Sequence, residues 1–312
     1  ELLLLFCQEK PDIVHLVTIK PVLFGGIVSR LTNVPGVVAA ISGLGFVFID
    51  TGFVSQLRRY FIGKFYRAAL NHKNISVIFQ NWDDCDTITR LSGLKDEQIF
   101  MIEGSGVDLE KFNVSGVDKQ DLLVVLPARM LRDKGVVEFV EAAKLLTKEF
   151  EGARFILVGD IDLDNPSSLT IDEIGSWVKA GYVEHWGYQA DMAGIYAQSA
   201  IVVLPSYREG FPKVLLEAAA CGRPVVTTDV PGCRDAVISD ETGFLVPSRN
   251  PEKLAGAIAK LLRSKPLREI MGTKARALAE RSFDVKKVID KHINIYESVV
   301  SKSKQKMEQD RK

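Results

Sequence analysis

Leu204-Pro-Ser-Tyr-Arg-Glu-Gly-Phe-Pro-Lys-Val-Leu-Leu-Glu217 is the stretch on which the fold turns. It closes an apolar run, turns at Pro205-Ser206, and is expected to open a helix at Gly210-Phe211-Pro212. Glu209 stands before that helix and Glu217 inside it, eight positions later. A helix N-terminus attracts phosphate, whereas carboxylates accept hydrogen bonds from hydroxyls. A sugar nucleotide presents sugar hydroxyls, a diphosphate and ribose hydroxyls in that order. At ~1.5 Å per residue, eight residues span about 12 Å. Paired hydrolytic carboxyls stand only ~5–9.5 Å apart. The spacing therefore argues against a glycosidase pair and for holding two ends of one extended ligand. The blander alternatives are helix-dipole compensation for Glu209 and a solvated helix face for Glu217.

Outward from this stretch, short apolar runs alternate with helical patterns, which predicts an α/β chain with parallel sheets. Strands are expected at 12–17, 36–41, 76–79, 98–102, 122–126, 154–158, 182–186, 200–204 and 224–228. Helices are expected at 24–32, 56–71, 82–92, 135–148, 171–180, 191–198, 211–221, 251–264 and 266–281. Asp284 is expected to cap a last helix ending near Val300, with a polar tail that frays. The polar stretch 113–120 reads as a linker, so two domains are expected, 1–115 and 116–283, with 284–312 as a separate closing helix and tail. Ligands of such folds bind at the carboxyl ends of the strands.

Two basic residues follow one of these ends. Arg129 and Lys134 lie in Pro127-Ala-Arg-Met-Leu-Arg-Asp-Lys-Gly135, just past the 122–126 strand. The guanidinium fork matches phosphate oxygens, and the lysine adds a movable point charge. Together they suit a diphosphate that leaves with negative charge. The alternative is a solvated basic loop, which is the reading given to Arg132. The glycine loops Ser42-Gly43-Leu44-Gly45 and Gly104-Ser105-Gly106-Val107-Asp108 each follow a strand. Either can be a tight turn or a place where backbone approaches a ligand. His15 and His185 are weaker candidates. Residues 56–73 interleave Leu57, Phe61, Ile62, Phe65 and Tyr66 with Arg58, Arg59, Lys64, Arg67 and Lys73. That pattern suits either an anionic membrane surface or a core helix with a basic outer face.

Composition excludes several classes. The chain has 312 residues, with 40 Lys plus Arg and 40 Asp plus Glu. A zero net charge calls for no nucleic acid partner. The four cysteines are widely spaced, which suits reduced thiols in the cytoplasm. Four scattered histidines without an HExxH pattern point to no metal site. The opening run Leu2-Leu3-Leu4-Leu5-Phe6-Cys7 is far shorter than a membrane span of ~20 residues. It lacks a signal peptide's basic flank. It reads as the end of a helix, so the first domain is expected to be incomplete at its start.

Glu209-x7-Glu217 with Gly210-Phe211-Pro212 between resembles the signature of retaining family-4 glycosyltransferases of the GT-B fold. Arg129 with Lys134-Gly135 is similar to that family's diphosphate-binding pair. Gly222-Arg-Pro-Val-Val-Thr-Thr-Asp-Val-Pro-Gly232 and Thr242-Gly-Phe-Leu-Val246 also fit its pattern. Thr18-Ile-Lys-Pro21, Ile41-Ser-Gly-Leu-Gly-Phe46, Phe79-Gln-Asn81 with Asp83-Asp84, and Gly104-Ser-Gly-Val-Asp108 resemble a subgroup that builds bacterial surface polysaccharides. Trp82 departs from it where a proline is expected. The family's glycine-rich donor loop would precede Glu1.

The resemblance implies two Rossmann-like parallel-sheet domains facing a cleft, with the last helix crossing back to the first domain. It implies that Arg129 and Lys134 bind the donor diphosphate, Glu217 the ribose hydroxyls, and Glu209 the donor sugar. Backbone amides from Gly210 to Val214 would complete the site, those of Phe211 and Lys213 among them and Pro212 contributing no N–H, with Gly187-Tyr188 near the nucleobase and Gly43, Gly45 and Gly106 as further substrate contacts. Transfer from a nucleotide sugar, UDP-linked, to a lipid-linked saccharide is then expected, without cofactor or metal, on the inner face of the plasma membrane. The rival readings are a sugar-nucleotide epimerase of the same fold and a non-catalytic nucleotide-sugar-binding protein.

Overall fold

The computed structural model describes residues 1–44, 53–113 and 122–309, and the side chains within them except at 53–60 and 306–309. The chain divides into two units, Glu1–Ser105 with Lys286–Lys312, and Gly106–Val285.

The first unit holds a parallel sheet of four strands in the order β1-β2-β3-β4. These are β1 (Ile13–Val17), β2 (Gly36–Ile41), β3 (Ile75–Phe79) and β4 (Ile99–Met101). The helices α1 (Leu2–Glu9), α2 (Ile19–Leu31), α3 (Phe53–Leu70) and α4 (Trp82–Ser92) accompany it. β3 is buried along its whole length, as expected of a strand covered on both faces. One core joins Val37, Ala39, Val77 and Phe79 to Val22, Tyr66 and Ile88. On the other face Val38, Ile78 and Ile102 pack against Val288, Ile295 and Val299 of α11 (Val285–Gln309).

Two expectations change here. α2 begins at Ile19 rather than Phe24, because Pro21 falls in the first turn, where its missing N–H has no intrahelical partner to lose. The tail after Ser301 continues as helix to Gln309 instead of fraying. Ser303 is buried, its hydroxyl donates to the Pro35 carbonyl at 3.0 Å, and the Asn74 amide donates to its oxygen at 2.7 Å. The close approach of α11 requires Gly36, where a Cβ would stand 2.4 Å from Val299 Cγ1.

The second unit holds a parallel sheet of six strands in the order β10-β9-β8-β5-β6-β7. In chain order they are β5 (Leu122–Pro127), β6 (Ala153–Val158), β7 (Glu184–His185), β8 (Ser199–Leu204), β9 (Val225–Thr228) and β10 (Gly243–Val246). The chain moves outward from β5 through β7, returns to place β8 on the other side of β5, and moves outward again. β5 and β8 therefore flank a topological switch point, where such sheets bind ligands. The helices are α5 (Val136–Leu146), α6 (Ile171–Lys179), α7 (Met192–Gln198), α8 (Lys213–Ala220), α9 (Pro251–Arg263) and α10 (Lys265–Leu278). Every residue of β8 is buried.

Further corrections fall in this unit. The unit starts at Gly106, ahead of the expected boundary at 115/116. The Val107 N–H donates to Phe283 O at 2.8 Å, Val285 N–H donates to Val107 O at 3.1 Å, and Phe112 is buried in the second core. The expected linker lies outside the described residues except for Asn113. The strand expected at 182–186 shrinks to two residues. The 243–246 stretch is a strand that the apolar runs did not predict. α8 starts at Lys213, with Pro212 extended at the N-cap (φ −73°, ψ 118°), so Gly210-Phe211-Pro212 leads into the helix rather than opening it.

Candidate functional site

The carboxyl ends of β5 and β8 deliver the central pair. Past β5, a 3-10 turn (Arg132–Lys134) ends at Gly135, whose φ of 73° lets the chain swing directly into α5. Past β8, Pro205-Ser206 turns the chain toward Glu209. Lys134 Nζ donates to Glu209 Oε1 at 2.5 Å, so one ion pair spans the switch point. Both side chains are mostly buried, at 21% and 14% exposure. Ser206 Oγ donates to the same carboxylate oxygen at 2.7 Å. Ser206 is itself anchored, since its carbonyl accepts from Thr228 Oγ1. Glu209 N–H donates to the Pro231 carbonyl at 3.1 Å, which fixes its backbone.

At the carboxyl end of the same sheet lies a cavity of about 540 Å³, whose lining includes Arg129 and Glu217 but neither Lys134 nor Glu209. Its lining comes from the carboxyl ends of β5 and β6 and from α7 and α8: Arg129, Gly159, Asp160, Asp162, Tyr188, Met192, Val214 and Glu217 among others. Arg129 Nη1 donates to Asp162 Oδ2 at 2.6 Å. Tyr188 N–H donates to Asp160 Oδ1 at 3.0 Å, which holds the Gly187-Tyr188 turn with the Tyr188 ring 71% exposed. Glu217 is buried on α8, and Tyr196 Oη donates to its Oε2 at 3.0 Å. Lys213 Nζ stands 3.6 Å from its Oε1. The cavity thus carries a cation and an exposed aromatic at one side, a buried carboxylate at another, and the N-terminal turn of α8, whose first N–H groups have no intrahelical partner.

The structure sorts the remaining sequence candidates. The Phe211 side chain is buried and packs its ring on Phe283, centroids 5.6 Å apart, which leaves only its backbone for a ligand. Gly106 approaches backbone of its own unit, where a Cβ would meet Val285 Cα at 2.7 Å. Gly43 belongs to the first unit, and Gly45 lies outside the described residues. His15 sits within β1 with its Nδ1 2.9 Å from Tyr296 Oη, and His185 Nε2 is 2.8 Å from the Gly159 carbonyl. Both imidazoles are occupied structurally. Ser206, Tyr196, Asp160 and Asp162 escaped sequence reasoning. Only Asp160, following Gly159 at the end of β6, carried a positional signal.

A larger cavity of about 830 Å³ lies at the amino edge of the first sheet, lined by Arg30, His72, Lys73 and Lys302. It faces away from the strand ends where parallel sheets bind ligands, and His72 is held between the Asn74 and Val34 backbones. Size therefore does not decide the site. Among the described residues no three His, Cys, Asp or Glu side chains gather as a metal cage, and no helix is long and apolar enough to cross a membrane. In α3, Phe61 and Phe65 are 53% and 50% exposed, while Tyr66 is buried.

Comparison with known proteins gives the family and the fold. Residues 107–278 match the glycosyl transferases group 1 pattern, and residues 1–81 match a glycosyl transferase 4-like pattern. The chain is 30% identical over 304 residues to the N,N'-diacetylbacillosaminyl-diphospho-undecaprenol alpha-1,3-N-acetylgalactosaminyltransferase of Campylobacter jejuni, covering 93% of this chain and 77% of that protein. It is 26% identical to the UDP-Gal:alpha-D-GlcNAc-diphosphoundecaprenol alpha-1,3-galactosyltransferase of Escherichia coli, covering 94% and 77%. The Anabaena HepE structure in complex with UDP superposes with a TM-score of 0.79 at 20% identity, covering 95% of this chain and 82% of that one. With most of the second unit matched by one family pattern and both units carrying parallel Rossmann-like sheets, the chain belongs to the group 1 glycosyl transferases and has the GT-B fold.

Proposed function

We propose that the protein is a retaining glycosyltransferase that moves a sugar from a UDP-linked donor to a lipid-linked saccharide in polysaccharide assembly. The observation that carries this reading is the Lys134–Glu209 pair across the switch point, together with a cavity lined by Arg129 and Glu217 at the carboxyl end of the same sheet. The names of the relatives support the acceptor class: two act on saccharides linked to undecaprenyl diphosphate. UDP in the HepE structure supports the donor class.

In this reading the nucleobase lies at Gly187-Tyr188, the ribose at Glu217, and the diphosphate between Arg129, Lys134 and the first turn of α8. Glu209 faces the donor sugar. The sugar–phosphate bond breaks toward an oxocarbenium-like state, and the two cations stabilise the charge left on the diphosphate. The acceptor hydroxyl attacks from the same face, and a diphosphate oxygen takes its proton. No enzyme nucleophile or metal enters this scheme. Exposed Phe61 and Phe65 on a helix that also carries Lys64 and Arg67 suit peripheral contact with an anionic membrane, where a lipid-linked acceptor resides.

Calorimetry with UDP tests the donor half. Glu217→Ala should weaken binding, and the double change Arg129→Ala with Lys134→Ala should nearly abolish turnover. Unchanged UDP affinity and rate in these variants would sink the assignment.

A further inference from the structure

We propose that Tyr196 is a positioning residue that presents the Glu217 carboxylate to the donor ribose, an inference that rests on the reading of Glu217 given above. Tyr196 lies on α7 and is 0% exposed, and Glu217 on α8 is 8% exposed. The phenol hydroxyl donates to Glu217 Oε2 at 3.0 Å. Burial and the neighbouring carboxylate push the Tyr196 pKa well above its ordinary value, so the hydroxyl stays protonated and acts only as a donor toward the carboxylate.

The donor is held from several sides. The Tyr196 ring packs on Phe112, centroids 6.2 Å apart. The Asp191 side chain caps α7 through the Gly194 N–H at 3.0 Å. Both Tyr196 and Glu217 line the 540 Å³ cavity. A carboxylate in such a place needs partners for both oxygens. Tyr196 fixes Oε2 and with it the plane of the group. Among the described residues, Oε1 has only the Lys213 ammonium, 3.6 Å away and 63% exposed. That oxygen is the one left to receive hydroxyl donors, and a carboxylate oxygen can accept from two. Adjacent ribose hydroxyls match it. The role is orientation: Tyr196 reaches the ligand's hydroxyls through Glu217.

Tyr196→Phe removes one oxygen and keeps the ring that packs on Phe112. The test compares calorimetric affinity for UDP with that for its dideoxy analogue lacking both ribose hydroxyls, in wild type, Tyr196→Phe and Glu217→Ala. The inference predicts that Tyr196→Phe weakens UDP about tenfold, the worth of one charge-assisted hydrogen bond. It predicts that affinity for the dideoxy analogue stays within about twofold, so the preference for UDP collapses toward that of Glu217→Ala. Equal weakening of both nucleotides would mean a merely structural role and overturn the inference, as would an undiminished preference. If Glu217→Ala itself keeps the full preference, the ribose reading of Glu217 fails, and the role of Tyr196 falls with it.

Discussion

Gly135→Ala should damage the protein far more than its size suggests, and Gly181→Ala supplies a matched control. Both glycines lie in the second unit with φ of 73°. Each substitution forces an L-residue into the left-handed region, at about 1–2 kcal/mol, offset by about 0.4–1 kcal/mol of unfolded-chain entropy. Those terms are common to both sites. Their surroundings differ. A Cβ at Gly181 meets no heavy atom within 4 Å, whereas a Cβ at Gly135 would stand 2.1 Å from the Pro205 carbonyl oxygen and 2.8 Å from Pro205 Cγ. The neighbour is backbone and a closed ring, so it cannot rotate away. Forced overpacking of this kind costs about 1–3 kcal/mol. The displaced residue precedes Ser206, which holds Glu209, and Gly135 follows Lys134. The shift thus falls on both sides of the central ion pair. Urea unfolding of the two variants, compared at constant slope, should separate them by about 1–3 kcal/mol with Gly135→Ala the weaker. Equal losses within about 0.5 kcal/mol would refute the claim that Gly135 is required by the approach of the β8 exit.

Other changes test separate parts of the account. Asp162→Asn removes a carboxylate that holds Arg129 at 2.6 Å; UDP should then bind about twofold to fivefold tighter by calorimetry, since exposed ion pairs are worth up to ~1 kcal/mol, and weaker binding would show that Asp162 presents Arg129 rather than competes for it. Arg223 is 2% exposed, its Nε and Nη1 have no acceptor among the described residues, and burial lowers its pKa to about 10. Arg223→Met should therefore raise stability by about 1 kcal/mol or more in urea unfolding, and a loss of that size would reveal a partner for the guanidinium. Cys7 is exposed while Cys85, Cys221 and Cys233 are buried, and burial pushes the Cys221 and Cys233 thiols up to about 12. An aromatic disulfide reagent near pH 8 should titrate one thiol in the native protein, and more than one would contradict the packing.

The parallel-sheet architecture was legible because its central strands are uninterrupted apolar runs: residues 201–204 and 122–126 have no alternation and so must be covered on both faces. The edge strand 243–246 escaped because it is four residues long and half-covered, too short for any period to register. Positions of Arg129, Lys134 and Glu217 relative to strand ends could be read directly. Their partners could not. Lys134 and Glu209 lie 75 residues apart, and Tyr196 and Glu217 lie 21 apart on different helices. No periodicity encodes such pairs; the β5–β8 crossover creates the first and the packing of α7 on α8 the second. The tail misled for a similar reason: residues 301–309 look polar, yet Ser303 is seated by Asn74 and Pro35 of distant loops.

The central claim is transfer of a sugar from a nucleotide donor held at the carboxyl edge of the second sheet. The most direct measurement incubates the protein with a panel of nucleotide sugars and an undecaprenyl-diphosphate-linked saccharide, then follows the glycan product and its anomeric configuration by mass and magnetic resonance spectroscopy. One elongated lipid-linked product is expected from a UDP-sugar, with the donor's anomeric configuration kept, and its loss is expected in the Arg129→Ala, Lys134→Ala double variant. An inverted product, donor isomerisation without acceptor, or undiminished transfer in the double variant would contradict it.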